Sequence, residues 1–368
     1  MKVEALDRYA ESPKVKQIAD ALQKRESKLH IKGLIGSAFS FVAYQLFRQA
    51  ELPFLLILKD KEEAAYYLND LEKLIGEEDV LFYPGSYRRP YQIEETDNAN
   101  VLLRAEVLNR INSRKKPAVI VSYADALFEK VVTRKELDKN TLKVAVGDQV
   151  SIDFINEVLF EYEFRRVDFV TEPGEFSVRG GIVDVFSFSN DNPYRIEFFG
   201  NEVDSIRTFD VASQLSLDRQ KKITVIPNVE NKFLNEKRES FLEYISEKTV
   251  LVIQNTEGLL AQLDTLYTKA GEAFEKLSKD IKHASPDELF VNQQAFVNKA
   301  LDFTIVEMAS KPTFRTEKSF EFHMQPQPSF NKQFDLLLSN LNENHSNGYK
   351  NYIFCSNVIV IILYEVFV

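Results

Sequence analysis

The chain has a single cysteine, Cys355, among 368 residues. That excludes an internal disulfide framework and any zinc site built on several cysteines, and it fits a reducing, cytoplasmic compartment. The four histidines, His30, His283, His323 and His345, are scattered without ligand spacing, so neither a metal nor any other cofactor is expected. No Ser/His/Asp or Cys/His pairing points to nucleophilic catalysis. Long apolar runs are also missing. The opening MKVEALDRYAESPKVKQIADALQKRES is polar and amphipathic, without the apolar core of a signal peptide. The most apolar stretch, VIVIILYEVFV (358–368), contains Glu365 and falls short of the ~20 residues a membrane span needs. It reads as a buried strand or as the end of a chain cut in mid-domain, and no membrane partner is expected. Positive charge is in deficit as well, 46 Lys+Arg against 56 Asp+Glu for a net of −10. A protein whose main task is to coat nucleic acid needs the opposite balance, because duplex affinity rests on neutralised phosphates.

What is present is the composition of a globular protein, 44% hydrophobic and 28% charged, long enough for two or three domains. Strand and helix signals alternate over residues 1–140, the pattern of a parallel sheet covered by helices. PFLLILK (53–59) is a buried-strand run. DKEEAAYYLNDLEKLIG follows it, with Asp60 and Glu63 in capping spacing, Ala64, Leu68, Leu71 and Ile75 on one helical face, and Gly76 as the stop. DVLFYP and PAVIVSY are strands, separated by a helix over TDNANVLLRAEVLNRI. Over residues 141–212 the pattern changes. SIDFINEVLFEYEF is one helix, and RRVDFV, EFSVRGGIVDVFSF, YRIEFF and EVDSIRTF are short strands joined by turn signals, hence an antiparallel α+β domain. From 213 to 368 the α/β alternation is expected to resume, with strands at KITVIP and TVLVIQN and a helix over TEGLLAQLDTLYTKAGEAFEKL. The simplest organisation is one α/β domain in two sequence segments with a small domain inserted between them.

GLIGSAFS (33–40) lies between a strand and a helix, where a phosphate-binding loop would have the spacing G-x-x-x-x-G-K-[ST]. Gly33 and Ser40 hold the outer places and Gly36 lies between them, but Ala38 replaces the second glycine and Phe39 replaces the lysine. The loop is expected to be a structural turn with Phe39 in the core, without nucleotide. In the middle domain, alternation puts Tyr194, Ile196 and Phe198 on one face of YRIEFF and Arg195, Glu197 and Phe199 on the other. Likewise EFSVRGG buries Phe176 and Val178 and turns Arg179 outward. Two readings stand: an arginine and aromatic hot spot for a partner, or arginines paired with surface acids and Phe199 in a second core layer. Residues 141–212 carry six Lys/Arg and fourteen Asp/Glu, a net of −8, which suits a protein partner better than a phosphate backbone.

The stretch TEPGEFSVRGGIVDVFSFSNDNPYRIEFFGNEVDSIRTFD resembles the N-terminal, UvrB-homology region of bacterial transcription-repair coupling factors (the Mfd family) and, more distantly, UvrB. The resemblance extends over nearly the whole chain to about residue 357 and weakens after 230. It implies a helicase-like, RecA-like α/β domain with a degenerate P-loop, in two segments around a UvrA-binding domain. It further implies a non-catalytic module that recruits UvrA to stalled RNA polymerase in nucleotide excision repair. The family's UvrA-contacting residues fall on Arg179, Arg195 and Phe199. RNA polymerase and DNA would be engaged only through domains absent from this chain, which in the full-length family form an ATP-driven DNA translocase. The aromatic DNA-clamping hairpin of UvrB would follow VLFYP, but GSYRRPYQIEETDN is too short for it, leaving Arg88 and Arg89 as surface charges. The alternative is a UvrB-like ATP-dependent protein that binds damaged DNA.

Overall fold

The structure, a computed structural model, describes residues 4–24, 27–86, 91, 98–114, 116–139, 141–188, 190, 192–226, 237–277, 284–326 and 328–351. Arg88, Arg89, Cys355 and the apolar stretch 358–368 lie outside the described residues, as does most of GSYRRPYQIEETDN.

Seven parallel strands form the main sheet, in the spatial order Lys318–Glu321, Lys28–Lys32, Thr304–Glu307, Val250–Ile253, Phe54–Leu58, Val119–Tyr123 and Val80–Phe82. The strands of the first and second segments interleave, with Thr304–Glu307 and Val250–Ile253 lying between Lys28–Lys32 and Phe54–Leu58. Phe54–Leu58 is buried at every position, as a central strand covered on both faces must be. The helix Lys61–Ile75 begins at Asp60, whose carboxylate accepts from the Glu63 N–H at 2.9 Å, and ends at Gly76 with φ 113°. Ala64, Tyr67 and Leu71 face the core. The helix Thr256–Glu275 lies where the sequence places it. This α/β architecture is helicase-like.

The second sheet has six strands, in the order Ser216–Gln220, Glu202–Phe209, Tyr194–Phe199, Ile182–Val185, Glu175–Arg179 and Arg165–Arg166. Only its outermost pair, Glu175–Arg179 with Arg165–Arg166, is parallel. The helix Ile152–Glu161, capped by Ser151, lays Ile155 and Leu159 on one face with Phe176, Val183, Val185, Ile196, Val203 and Ile206.

Three sequence expectations change here. KITV (222–225) is a strand, but it pairs antiparallel with Leu142–Ala145 at the root of the inserted domain instead of joining the α/β sheet. Strand pairing in the antiparallel sheet also runs past residue 212, because Ser216–Gln220 is an edge strand of it. Of RRVDFV, only Arg165–Arg166 is strand. Val167 and Val170 leave the sheet to pack on Phe186 and Phe209, forming a small core on the face opposite the helix.

Beside the main sheet, the segment Tyr83–Ser86 is held by a buried ion pair. Arg104 donates to the carbonyls of Pro84 (2.9 Å) and Ala126 (3.1 Å) and lies 3.3 Å from Glu129, which accepts from the Ser86 N–H (2.8 Å) and hydroxyl (2.6 Å). The Arg104 guanidinium also lies over the Tyr83 ring at 4.4 Å. Removing one member strands a charge in a dry site. Glu129→Ala is therefore expected to lower the stability of the α/β domain by about 3–5 kcal/mol, read as a reduced midpoint in urea unfolding with an unchanged slope.

Candidate functional site

Gly33 follows the strand Lys28–Lys32 with φ 80°, and Gly36 has φ 57°. A Cβ at Gly33 would lie 1.7 Å from the carbonyl oxygen of Phe322, so the backbone that continues the neighbouring edge strand closes against the loop. The first N–H groups of the helix Ala38–Ala50 are engaged locally, that of Ala38 with the Ile35 carbonyl (3.3 Å) and that of Phe39 with the Gly36 carbonyl (3.2 Å). A phosphate loop would point such donors at its ligand. Ala38 is buried, and the buried Phe39 packs on Tyr67 with ring centroids 4.5 Å apart. Burial, followed by the nearby Glu63 carboxylate, pushes the Tyr67 phenol up to about 12. The buried Ser40 hydroxyl donates to Asp70 at 2.9 Å. A cavity of about 410 Å³ opens elsewhere, at the root of the inserted domain, beside Asn109, Thr141, Lys143 and Lys222. Among the described residues no cluster of His, Cys, Asp and Glu is arranged to hold a metal ion, and no helix is long and apolar enough to cross a membrane.

The outer face of the antiparallel sheet brings Arg179 and Arg195 to one carboxylate. Asp184 lies directly opposite Arg195 on the neighbouring strand and is 1% exposed. Arg195 donates to it through Nε at 2.8 Å and Nη2 at 2.9 Å, and through Nη1 to the Gln214 carbonyl at 3.2 Å. Its guanidinium covers the buried Phe209 ring at 4.5 Å, and its side chain is 16% exposed. The Asp184 bond, ahead of the opposing effect of burial, raises its pKa further. Arg179 donates to Asp184 and, at 3.3 Å, to the Asp168 carbonyl, lies 5.3 Å over the Phe169 ring, and remains 40% exposed.

Phe199, at the end of the same strand as Arg195, is 84% exposed. A second core layer does exist on this face, but Val170, Phe186 and Phe209 form it, and Phe199 stands outside it. Sequence reasoning missed Asp184. Its alternation between the buried Val183 and Val185 was the available signal.

At the end of the face, Glu175 is nearly buried and accepts from the N–H groups of Thr171 (2.8 Å) and Glu172 (3.0 Å), from the Thr171 hydroxyl (3.0 Å) and from Arg165. Burial would raise its pKa, but these donors together outweigh that and hold it below the ordinary glutamate value.

Residues 142–230 match the family model of the UvrB interaction domain. The chain is 30% identical to the transcription-repair-coupling factor of Bacillus subtilis over 274 residues, 74% of this chain and 22% of that protein. A coupling factor of Myxococcus xanthus is 30% identical over 68% of this chain and 21% of its own length. The UvrABC system protein B of Thermotoga neapolitana is 24% identical over 64% of this chain and 37% of its own length. Residues 142–230 are thus similar to the UvrB interaction domain, within a region similar to transcription-repair-coupling factors and to UvrB, and the chain spans about a fifth of the length of those coupling factors.

Two outcomes are expected. Mg-ATP should give no thermal shift, whereas a site filled at 100 times its Kd would add ~2.7 kcal/mol of apparent stability. Because Glu175 has a depressed pKa when folded, its contribution is complete above the ordinary value of 4.5 and is lost as pH falls below it. Glu175→Gln should flatten the acid limb of the stability profile and lower stability at neutral pH by about 1.5–3 kcal/mol, both read by denaturant unfolding across pH.

Proposed function

We propose that this chain is a non-catalytic docking module for UvrA, acting through the outer face of its antiparallel sheet. The observation that carries the reading is an aromatic ring, Phe199, held 84% exposed at the end of the strand that carries Arg195 of the Arg179–Asp184–Arg195 cluster, in a domain that matches the UvrB interaction domain. Apolar rings left in water beside arginines are the composition of interface hot spots. Phe199 is the apolar anchor. Arg179 and Arg195 supply charge-assisted hydrogen bonds through the N–H groups that Asp184 leaves available. In a coupling factor, this contact brings UvrA to a stalled RNA polymerase in nucleotide excision repair. The closed Gly33 loop, with Phe39 packed and Ser40 bonded to Asp70, supports a scaffold role for the α/β domain over a UvrB-like ATPase.

Mixed with purified UvrA on a sizing column, the chain should co-elute with it. Phe199→Ala leaves the fold unchanged because the ring packs on no core, and it should weaken binding roughly 30-fold, the loss of ~2 kcal/mol typical of a hot-spot residue. Arg179→Ala combined with Arg195→Ala, made together with Asp184→Asn so that no buried carboxylate loses its partners and checked for an unchanged unfolding midpoint, should abolish co-elution. Failure of the wild-type chain to co-elute, or co-elution untouched by all three substitutions, contradicts the reading.

A further inference from the structure

On the outer face, three arginines stand in one cross-strand row. Arg195 lies directly opposite Arg207, and Arg207 directly opposite Arg219. Residues directly opposite on antiparallel strands share a face, and like charges so placed are destabilising. The fold compensates the first two members of this row. Asp184 engages Arg195, and Glu197, one position along the same strand on this face, accepts from Arg207 Nη2 at 3.0 Å. The Nε of Arg207 is enclosed and has no acceptor among the described residues. Arg219, on the exposed edge strand Ser216–Gln220, has neither an ion pair nor a side-chain hydrogen bond among the described residues. Two residues before it, Leu217 is exposed, as is Leu215. The row therefore runs from a neutralised arginine to a free one, with apolar side chains left in water beside the free end.

Strands lie about 4.8 Å apart, so the row spans about 10 Å. We propose that the docking face extends along Arg195, Arg207 and Arg219 to the edge strand, and that it receives an acidic strip of the protein partner. The strip carries carboxylates about 5–6 Å apart, the separation of acidic residues three or four positions apart on a helix. Charge complementarity selects this occupant. The inserted domain, with nine Lys/Arg and sixteen Asp/Glu over residues 142–230 and thus a net of −7, repels a continuous phosphate backbone, whereas a local acidic strip meets only the arginine row. The proposal rests on the UvrA-docking reading and adds a second anchor to it.

The test measures the affinity of the full chain for purified UvrA, at low and high salt, for wild type, Arg195→Ala, Arg219→Gln and Arg219→Glu. Because Arg219 is exposed and unpaired, its substitution leaves the fold intact, which near-identical unfolding midpoints verify. Arg219→Glu should weaken binding about tenfold at low salt through like-charge juxtaposition, Arg219→Gln should fall between, and the difference should shrink at high salt. Wild-type binding lost in Arg195→Ala but unchanged within twofold in both Arg219 variants overturns the extension and leaves the docking reading standing. No binding by the wild type overturns both. If Arg219→Glu instead reduces binding of a short DNA duplex and not of UvrA, the row serves nucleic acid and the proposal is wrong.

Discussion

Asp184 sits between two guanidinium groups on the outer face of the inserted sheet, and the properties of that face follow from this placement. A carboxylate at 1% exposure is tolerated only with partners, and Arg179 and Arg195 are those partners. The pairing holds Arg195 against the sheet over Phe209 and ties Arg179 to Asp184 beside the exposed Phe169 ring of the neighbouring loop, so neither is an untethered side chain. Held this way, they present fixed donors with little rotamer entropy left to lose on binding. The same arrangement limits what they offer. Three of the five N–H groups of Arg195 already have acceptors within the domain, which leaves Phe199 as the most exposed element of the site.

A second constraint is topological. Strands from the segments before and after the inserted domain interleave within one parallel sheet, so the inserted domain must leave and re-enter at neighbouring points. Leu142–Ala145 and Lys222–Val225 meet that requirement by pairing with each other. The helix Ile152–Glu161 then occupies one face of the antiparallel sheet, and the opposite face carries the small Val170–Phe186–Phe209 core, the charged rows and the exposed Phe199.

Much of this was legible in the sequence where one face of a strand is buried. The period-2 pattern of YRIEFF places Tyr194, Ile196 and Phe198 on the core and Phe199 outside it, as the structure has them. Pattern alone gives out where pairing partners decide. KITV reads as a strand but carries no sign that it pairs with a segment near residue 143, and RRVDFV has strand composition although Val167 and Val170 pack as a loop. The strand Thr304–Glu307 escaped notice because it is short and ends in a carboxylate. Glu307 is fully buried only because the Thr256 hydroxyl and the N–H groups of Thr313 and Phe314 satisfy it. The row Arg195–Arg207–Arg219 is likewise invisible without strand register, since its members come from three strands.

The central claim is that the surface around Phe199 touches UvrA. A photo-crosslinking phenylalanine placed at position 199, with the same group at the exposed Tyr66 of the α/β domain as the control, tests it most directly. The account predicts a covalent adduct with UvrA from position 199 and none from position 66. Crosslinking from position 66 alone, or from neither position in a mixture that co-elutes as a complex, would contradict it.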